Sequence, residues 1–198
     1  MGGRILLLTN NRNALKLYDS LKQMGENVEL YSEKLYEEQL LEMKPSFIIS
    51  YNYNHIIPEK IISIMPEKMV NLHISYLPWN KGSDPNFWSF IENTPKGVTI
   101  HKIDAHLDTG SILYQEEVTF DENIETFRTS YNKLNDKIVE LFCRNWKSIK
   151  EGSSETINKE KNITGTYHKR IEFINYTKKY PLNYDDRITD YKNKYNIP

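Results

Sequence analysis

Short apolar runs alternate with stretches of helical periodicity along the first half of the chain. Residues 4–9, RILLLT, are a continuous apolar run ending in Thr-Asn-Asn, which predicts a strand buried on both faces. Residues 13–25, NALKLYDSLKQMG, set Leu15, Leu17, Tyr18, Leu21 and Met24 at helical spacing and stop at Gly25. NVELY (27–31) reads as a second strand, and SEKLYEEQLLEMK (32–44) as a second helix capped by Ser32. PSFIISYN (45–52) is a third strand, PEKIISIM (58–65) a short helix with Pro58 near its first turn, and KMVNLHIS (68–75) a fourth strand. DPNFWSFIE (84–92) predicts a helix that starts near Pro85 with Asp84 as its cap, and its buried face takes Phe87 or Trp88 but not both. GVTIHKI (97–103) and SILYQEEVTF (111–120), joined by DAHLDTG, predict an antiparallel pair, and residues 122–152 a long amphipathic helix. The class is α/β: a Rossmann-like, open, mostly parallel twisted sheet flanked by helices, with an antiparallel strand pair late in the domain.

After Gly152 the pattern changes. SSETINKEKNITG (153–165) is polar and loop-like, and the Tyr- and Lys-rich tail that follows has no core of its own. This divides the chain into a main domain, 1–152, and a C-terminal extension, 153–198, that either packs on that domain or supplies a homodimer interface. The length of 198 residues fits one domain with such an appendage. A net charge of −1 gives no electrostatic footprint for nucleic acid or an acidic membrane surface. The single cysteine, Cys143, forbids an intrachain disulfide and lies in a helical apolar pattern. No apolar run reaches membrane-spanning length and no leader pattern precedes the first strand, so a cytoplasmic setting is expected.

The polar residues gather where an open α/β sheet binds ligands, beyond the carboxyl ends of its strands. Three segments are expected to converge there: 50–58, the region after the fourth strand, and 103–110. They carry Asn52, Asn54, His55, Asn71, His73, His101, Asp104, His106 and Asp108. Asn71 and His73 alternate with apolar neighbours on one strand face. An amide, an imidazole and a carboxylate suit acyl transfer to an amine. The amide donates to a developing oxyanion, the imidazole relays a proton, and the carboxylate orients and charges the imidazole. No serine or cysteine nucleophile is needed when the acceptor is itself an amine, and no G-x-S-x-G is present. Taken alone, Asn71 and His73 also read as satisfied polar residues at a strand end. Asp104 reads as a turn former, and His101 as a residue making structural hydrogen bonds.

NLHISYLP (71–78) followed by GVTIHKIDAHLDTGSIL (97–113) resembles the formyltransferase family that uses N10-formyltetrahydrofolate. The resemblance covers roughly residues 1–150. It implies a catalytic set of Asn71, His73 and Asp108, and a formyl donor held between loops 50–58 and 103–110 by Asn52, Tyr53, Asn54, Asp104, His106 and Leu107. SYLPWNKGSDPNFWSF and GTYHKR (165–170) look most like enzymes that formylate a nucleotide-linked amino sugar, for example a dTDP-amino-dideoxyhexose, for surface polysaccharide synthesis. Trp79, Asn80, Lys81 and Tyr167 are the acceptor-contacting candidates. No counterpart of the tRNA-gripping C-terminal domain of methionyl-tRNA formyltransferase is expected, in line with the charge. Two departures stand out. LLLTNNRNAL lacks the glycine-rich phosphate loop of glycinamide ribonucleotide enzymes. His106 stands where family members often carry glycine, a position that would suit φ > 0.

The alternatives within the same chemistry are a glycinamide ribonucleotide-type formyltransferase and a formyltetrahydrofolate hydrolase. A metal enzyme using His73, His101, His106, Asp104 and Asp108 lacks any H-x-x-x-H or H-E-x-x-H spacing, so no metal is expected. A plain nucleotide-binding module is disfavoured by the absence of G-x-G-x-x-G.

Overall fold

The computed structural model describes residues 3–157 and 164–198; part of the polar segment 153–165 therefore lies outside the described residues. The elements follow in the order β1 (Ile5–Leu8), α1 (Ala14–Gln23), β2 (Val28–Tyr31), α2 (Glu37–Met43), β3 (Phe47–Tyr51), α3 (Glu59–Ile64) and β4 (Met69–His73). Then come β5 (Lys81–Gly82), α4 (Pro85–Ile91), β6 (Gly97–Lys102), β7 (Ile112–Glu117), α5 (Phe127–Glu151), β8 (Tyr167–His168), α6 (Arg170–Lys179) and α7 (Ile188–Tyr195). Six strands form one sheet in the order β2-β1-β3-β4-β6-β7, and β5 pairs with β8 in a separate two-stranded ribbon. The β2-β1, β1-β3 and β3-β4 pairings are parallel. The β6-β7 pair is antiparallel: the Lys102 N–H donates to Ser111 O at 2.9 Å and the Val118 N–H to Lys96 O at 2.8 Å. These strands form where the sequence predicted them because β1 and β3 are buried along their whole length, and unbroken apolar runs suit strands covered on both faces.

The chain resolves into two compact units, residues 1–73, 100–114 and 139–158 in the first, and 74–99, 115–138 and 159–198 in the second. The first is built around Leu6, Leu8, Leu35, Leu40, Ile48, Ile61 and Met69, with Tyr53, Ile57 and Ile103 packed against them. α1 adds Ala14, Leu17 and Leu21, all fully buried, at the spacing of one helical face. The second is built around Phe87, Trp88, Phe90, Phe127, Phe173, Ile188 and Tyr191. Its tail helices α6 and α7 supply Phe173, Ile188 and Tyr191, so the tail shares in an aromatic core with α4 and the first turns of α5.

Three local expectations change. The second helix begins at Glu37, not Ser32, because the backbone of residues 33–35 is bonded elsewhere: the Tyr53 hydroxyl donates to Glu33 O (2.5 Å) and accepts from the Leu35 N–H (3.0 Å). The carbonyl of Ser32 accepts instead from the Asn10 side chain at 2.8 Å. α4 buries Phe87 and Trp88 together, since every residue from Pro85 to Phe90 is buried and the helix is enclosed all round within its unit. Asp84 precedes α4 but makes no side-chain cap. It sits at φ 55° and its carboxylate pairs with the Arg170 guanidinium.

Candidate active site

Parallel neighbours in register share a sheet face, so Ile48 and Met69 lie side by side, and so do Ser50 and Asn71. One face of the first unit therefore turns from apolar at Met69 to polar at Asn71 and His73. β6 joins this face from β4's other side and runs antiparallel to it, its exit marked by the Ile103 N–H bonding Met69 O at 3.2 Å. That direction corrects one expectation. Segment 103–110 does not leave the sheet at the carboxyl ends of the parallel strands. It leaves beside the amino end of β4 and folds back, which brings Asp108 to Asn71 and His73.

Four side chains meet there. The Asn71 amide donates one N–H to Asp108 Oδ1 at 3.2 Å, and its Nδ2 lies 3.1 Å from His101 Nε2. His101 Nδ1 lies 2.8 Å from Lys102 O; a carbonyl only accepts, so Nδ1 carries the proton. For the neutral ring, Nε2 is then the acceptor of the second Asn71 N–H. His73 Nε2 is 3.8 Å from Asp108 Oδ2, and His101 Nε2 is 3.5 Å from Asp108 Oδ1. Asp108 is 5% exposed and His101 2%, while Asn71 is half-buried and so open to a reacting group. A carboxylate this enclosed needs partners: the Asn71 amide donates to it and the His73 ring lies beside it. Among the described residues, no group of three or more His, Cys, Asp and Glu is arranged to hold a metal ion.

The loop is shaped to deliver that carboxylate. Asp108 sits at φ 53°, a left-handed conformation that aspartate tolerates better than most residues. The positive φ thus falls on Asp108 and not on His106. Asp104 Oδ1 accepts from the His106 N–H (3.1 Å) and the Thr109 hydroxyl (2.7 Å), closing the turn from within. Gly110 is required by contact: a β-carbon there would collide with the Lys102 carbonyl and stand 2.7 Å from its carbon.

On the other side of this face, Asn52 stands at φ 53° and its carbonyl accepts the Asn10 N–H at 3.0 Å, while the Asn54 N–H donates to Asn10 Oδ1 at 2.9 Å. Asn10 thereby ties the ends of β1, β2 and β3 together, a role that needs the tertiary pairing to be visible. Tyr53 is engaged by residues 33–35, and burial pushes its hydroxyl above the usual phenol range. Ile56 is 80% exposed and Leu107 51%, one on each loop.

The remaining candidates lie in the second unit. Asn80 is fully enclosed: its N–H donates to the Thr166 hydroxyl (2.8 Å), its amide to Glu92 (3.4 Å), and it accepts from Thr94 (2.7 Å). Its side chain secures the loop and presents nothing to a solute. Trp79 and Lys81 are half-buried and Tyr167 is 48% exposed. His101 makes the structural hydrogen bonds its sequence setting suggests, to the Asn71 amide and the Lys102 carbonyl. Its signal was the polar stripe Thr99–His101 alternating with Val98–Ile100, informative only once β6 is known to lie beside β4.

Residues 6–145 match the formyl transferase family. Among solved structures, the chain is similar to the formyltransferase PseJ from Anoxybacillus kamchatkensis, determined with UDP-4,6-dideoxy-4-formamido-L-AltNAc and tetrahydrofolate. The two are 43% identical with a TM-score of 0.84, over 94% of this chain and 96% of that one. The Mycobacterium tuberculosis protein Rv3404c is 25% identical at a TM-score of 0.77, over 94% and 82% of the two chains. A methionyl-tRNA formyltransferase of Prochlorococcus marinus is 27% identical, over 86% of this chain and 55% of its own length. The chain thus spans about half the length of that curated relative.

Proposed function

The chain belongs to the formyl transferase family, and we propose that it transfers the formyl group of N10-formyltetrahydrofolate to the amino group of a nucleotide-linked amino sugar. The observation that carries this reading is the convergence of Asn71, His73, His101 and Asp108 on one face, in a chain 43% identical to a formyltransferase solved with a formamido nucleotide sugar and tetrahydrofolate. Residues 1–152 carry this apparatus, and the extension's helices α6 and α7 share the second unit's aromatic core. The reading implies a cytoplasmic protein. Among the described residues no helix is long and apolar enough to cross a membrane.

On this reading loops 50–58 and 103–110 hold a flat, partly apolar donor. Exposed Ile56 and Leu107 would offer apolar surface, and Asn52, Asn54, Asp104 and His106, with backbone groups of loops 52–57 and 104–108, would bind a pterin's polar edge. Tyr53 would act through the shape of its loop, its hydroxyl being occupied. When bound, the donor supplies an electrophilic formyl carbon on a nitrogen leaving group.

Asn71 stabilises the charge that develops on the formyl oxygen as a neutral amine attacks, giving up one of its two present N–H partners to do so. His101 fixes the orientation of that amide by accepting its other N–H. His73 takes the proton that the attacking nitrogen loses and returns it to the departing folate nitrogen, so that no net proton is consumed. Asp108 orients His73 and favours its charged form. The burial of Asp108 and His73 keeps bulk water from competing for these bonds.

The test is incubation of the purified protein with N10-formyltetrahydrofolate and a panel of UDP- and dTDP-linked amino sugars, glycinamide ribonucleotide, and no acceptor, read by mass spectrometry. A formylated nucleotide sugar is the expected product. Folate consumption without an acceptor would transfer the assignment to hydrolysis.

A further inference from the structure

His73 is the last residue of β4. Beyond it the chain leaves the strand, and Ile74, Ser75 and Leu77 are all buried. Backbone groups enclosed in this way need partners. Two side chains supply them. The Thr99 hydroxyl donates to Ser75 O at 2.7 Å and accepts the Leu77 N–H at 3.2 Å. The Gln115 side-chain NH2 donates to Leu77 O at 2.8 Å and to Thr99 Oγ1 at 2.9 Å. Thr99 lies on β6 and Gln115 on β7.

The arrangement is saturated. A hydroxyl has a single hydrogen to give and two lone pairs that accept. Thr99 uses all of them and is fully buried. The Gln115 amide has both hydrogens engaged, which sets its plane, and neither bond goes to Asn71, His73 or Asp108. A satisfied buried network of this kind is rigid, and losing its terminal donor leaves the Leu77 carbonyl unpaired. Thr99 also precedes His101 by two positions on the same face of β6, and His101 lies against the Asn71 amide. A single strand therefore secures Asn71 through His101, and the segment after His73 through Thr99. The His73 imidazole itself faces Asp108, at 3.8 Å, and His101, with ring centroids 6.4 Å apart. A shift of the chain that carries His73 changes both distances.

We propose that Gln115 is a positioning residue for the proton-transfer step: through Thr99 and the Leu77 carbonyl it fixes the segment that follows His73, and so aims the imidazole at Asp108 and at the reacting nitrogen. The assignment rests on the role given to His73 above. A base must meet its proton within hydrogen-bond reach, and a misplacement of about 1 Å caused far from the chemistry can cost about 10²-fold in rate. Gln115 acts in this way on the chemical step and leaves the binding of both substrates unchanged.

Gln115→Met keeps the length of the side chain and removes its donors, and Gln115→Ala is the companion variant should methionine not fit. Thr99→Val removes the hydroxyl, and Thr99→Ser keeps it. Each full-length variant is read by melting temperature, by kcat and the two KM values for formyl transfer, and by an NMR titration of the His73 ring. The Gln115 variants and Thr99→Val are expected to lose about ten- to a hundred-fold in kcat, with both KM values within about three-fold of wild type. Their His73 midpoint is expected to move to lower pH, because the ring sits farther from the Asp108 carboxylate. Thr99→Ser is expected to stay close to wild type in all three readings. Folded Gln115 variants that lose melting temperature but keep kcat and the His73 midpoint overturn the assignment, since a residue serving stability alone gives that result. A slowed reaction with an unmoved His73 midpoint overturns it as well. A wild-type chain that formylates no nucleotide-linked amino sugar, with a His73 midpoint that still moves in the variants, keeps the positioning role and removes the formyl-transfer reading.

Discussion

Replacing Asp108 by asparagine removes one charge and almost no volume. The φ of 53° at this position is one that asparagine tolerates as readily as aspartate, so the turn closed by Asp104 and Thr109 should survive. The Asn71 N–H can still be accepted, now by an amide oxygen, which directs the new NH2 group towards His73. Electrostatics changes most. At the observed 3.8 Å between Asp108 Oδ2 and His73 Nε2, a carboxylate stabilises an imidazolium by about 4 kcal/mol at an effective dielectric of 20. If His73 carries the proton while the new C–N bond forms, losing that interaction slows the step by up to about 10³-fold. The measurement is the single-turnover rate of formyl transfer from N10-formyltetrahydrofolate, paired with an NMR titration of the His73 ring. Asp108→Asn should lose about 10²- to 10³-fold in rate, keep its melting temperature within a few degrees, and show a His73 that protonates at lower pH than in the wild type. A folded variant that retains more than a tenth of the wild-type rate, or a His73 titration left unmoved, would refute the pairing of these two groups as the source of catalysis.

Other substitutions probe different links. Gly110→Ala forces a β-carbon against the Lys102 carbonyl and within 3.4 Å of His101 Nδ1, so loop 104–110 must shift; turnover should fall at least 10²-fold, and a crystal structure should show Asp108 displaced from Asn71. Tyr53→Phe strips the hydroxyl that holds Glu33 and Leu35 and should cost about 1–3 kcal/mol in urea unfolding while leaving kcat near wild type. Glu26 tests linkage in the first unit. Burial alone would raise its carboxyl, but hydrogen bonds from Lys150 and Trp146 outweigh this and hold it below its ordinary value of 4.5. A lowered folded pKa gives stability that is present above pH 4.5 and lost as pH falls through the folded value, so Glu26→Gln should flatten the acid limb of a stability–pH curve and match the wild type at low pH.

The order of strands and helices was legible in the chain, and so was the set of Asn71, His73 and Asp108 that the structure brings together. Period-two and period-3.6 patterns record which side chains a strand or helix must bury, and that is a local property. The same locality explains the misreadings. SEKLY has the composition of a helix start, yet a tyrosine hydroxyl 18 to 20 residues away takes its backbone groups. Phe87 and Trp88 point to different sides of one helix turn, and both are buried because segments as distant as Phe173 and Tyr191 close over α4. For His101 the sequence indicates a hydrogen-bonding role but not its partner, which depends on β6 lying antiparallel to β4 and putting the ring against the Asn71 amide. The tail, with no core of its own by sequence, supplies part of one in the second unit. What the chain determined by itself was the repertoire: the elements, the apolar faces, and the amide, imidazole and carboxylate able to do acyl chemistry. What only the tertiary structure decided was adjacency, such as residue 81 beside 167, or Asp108 folded back onto Asn71. Such pairings are set by which buried surfaces and backbone groups can satisfy one another across long loops, and no periodicity within a single segment encodes that.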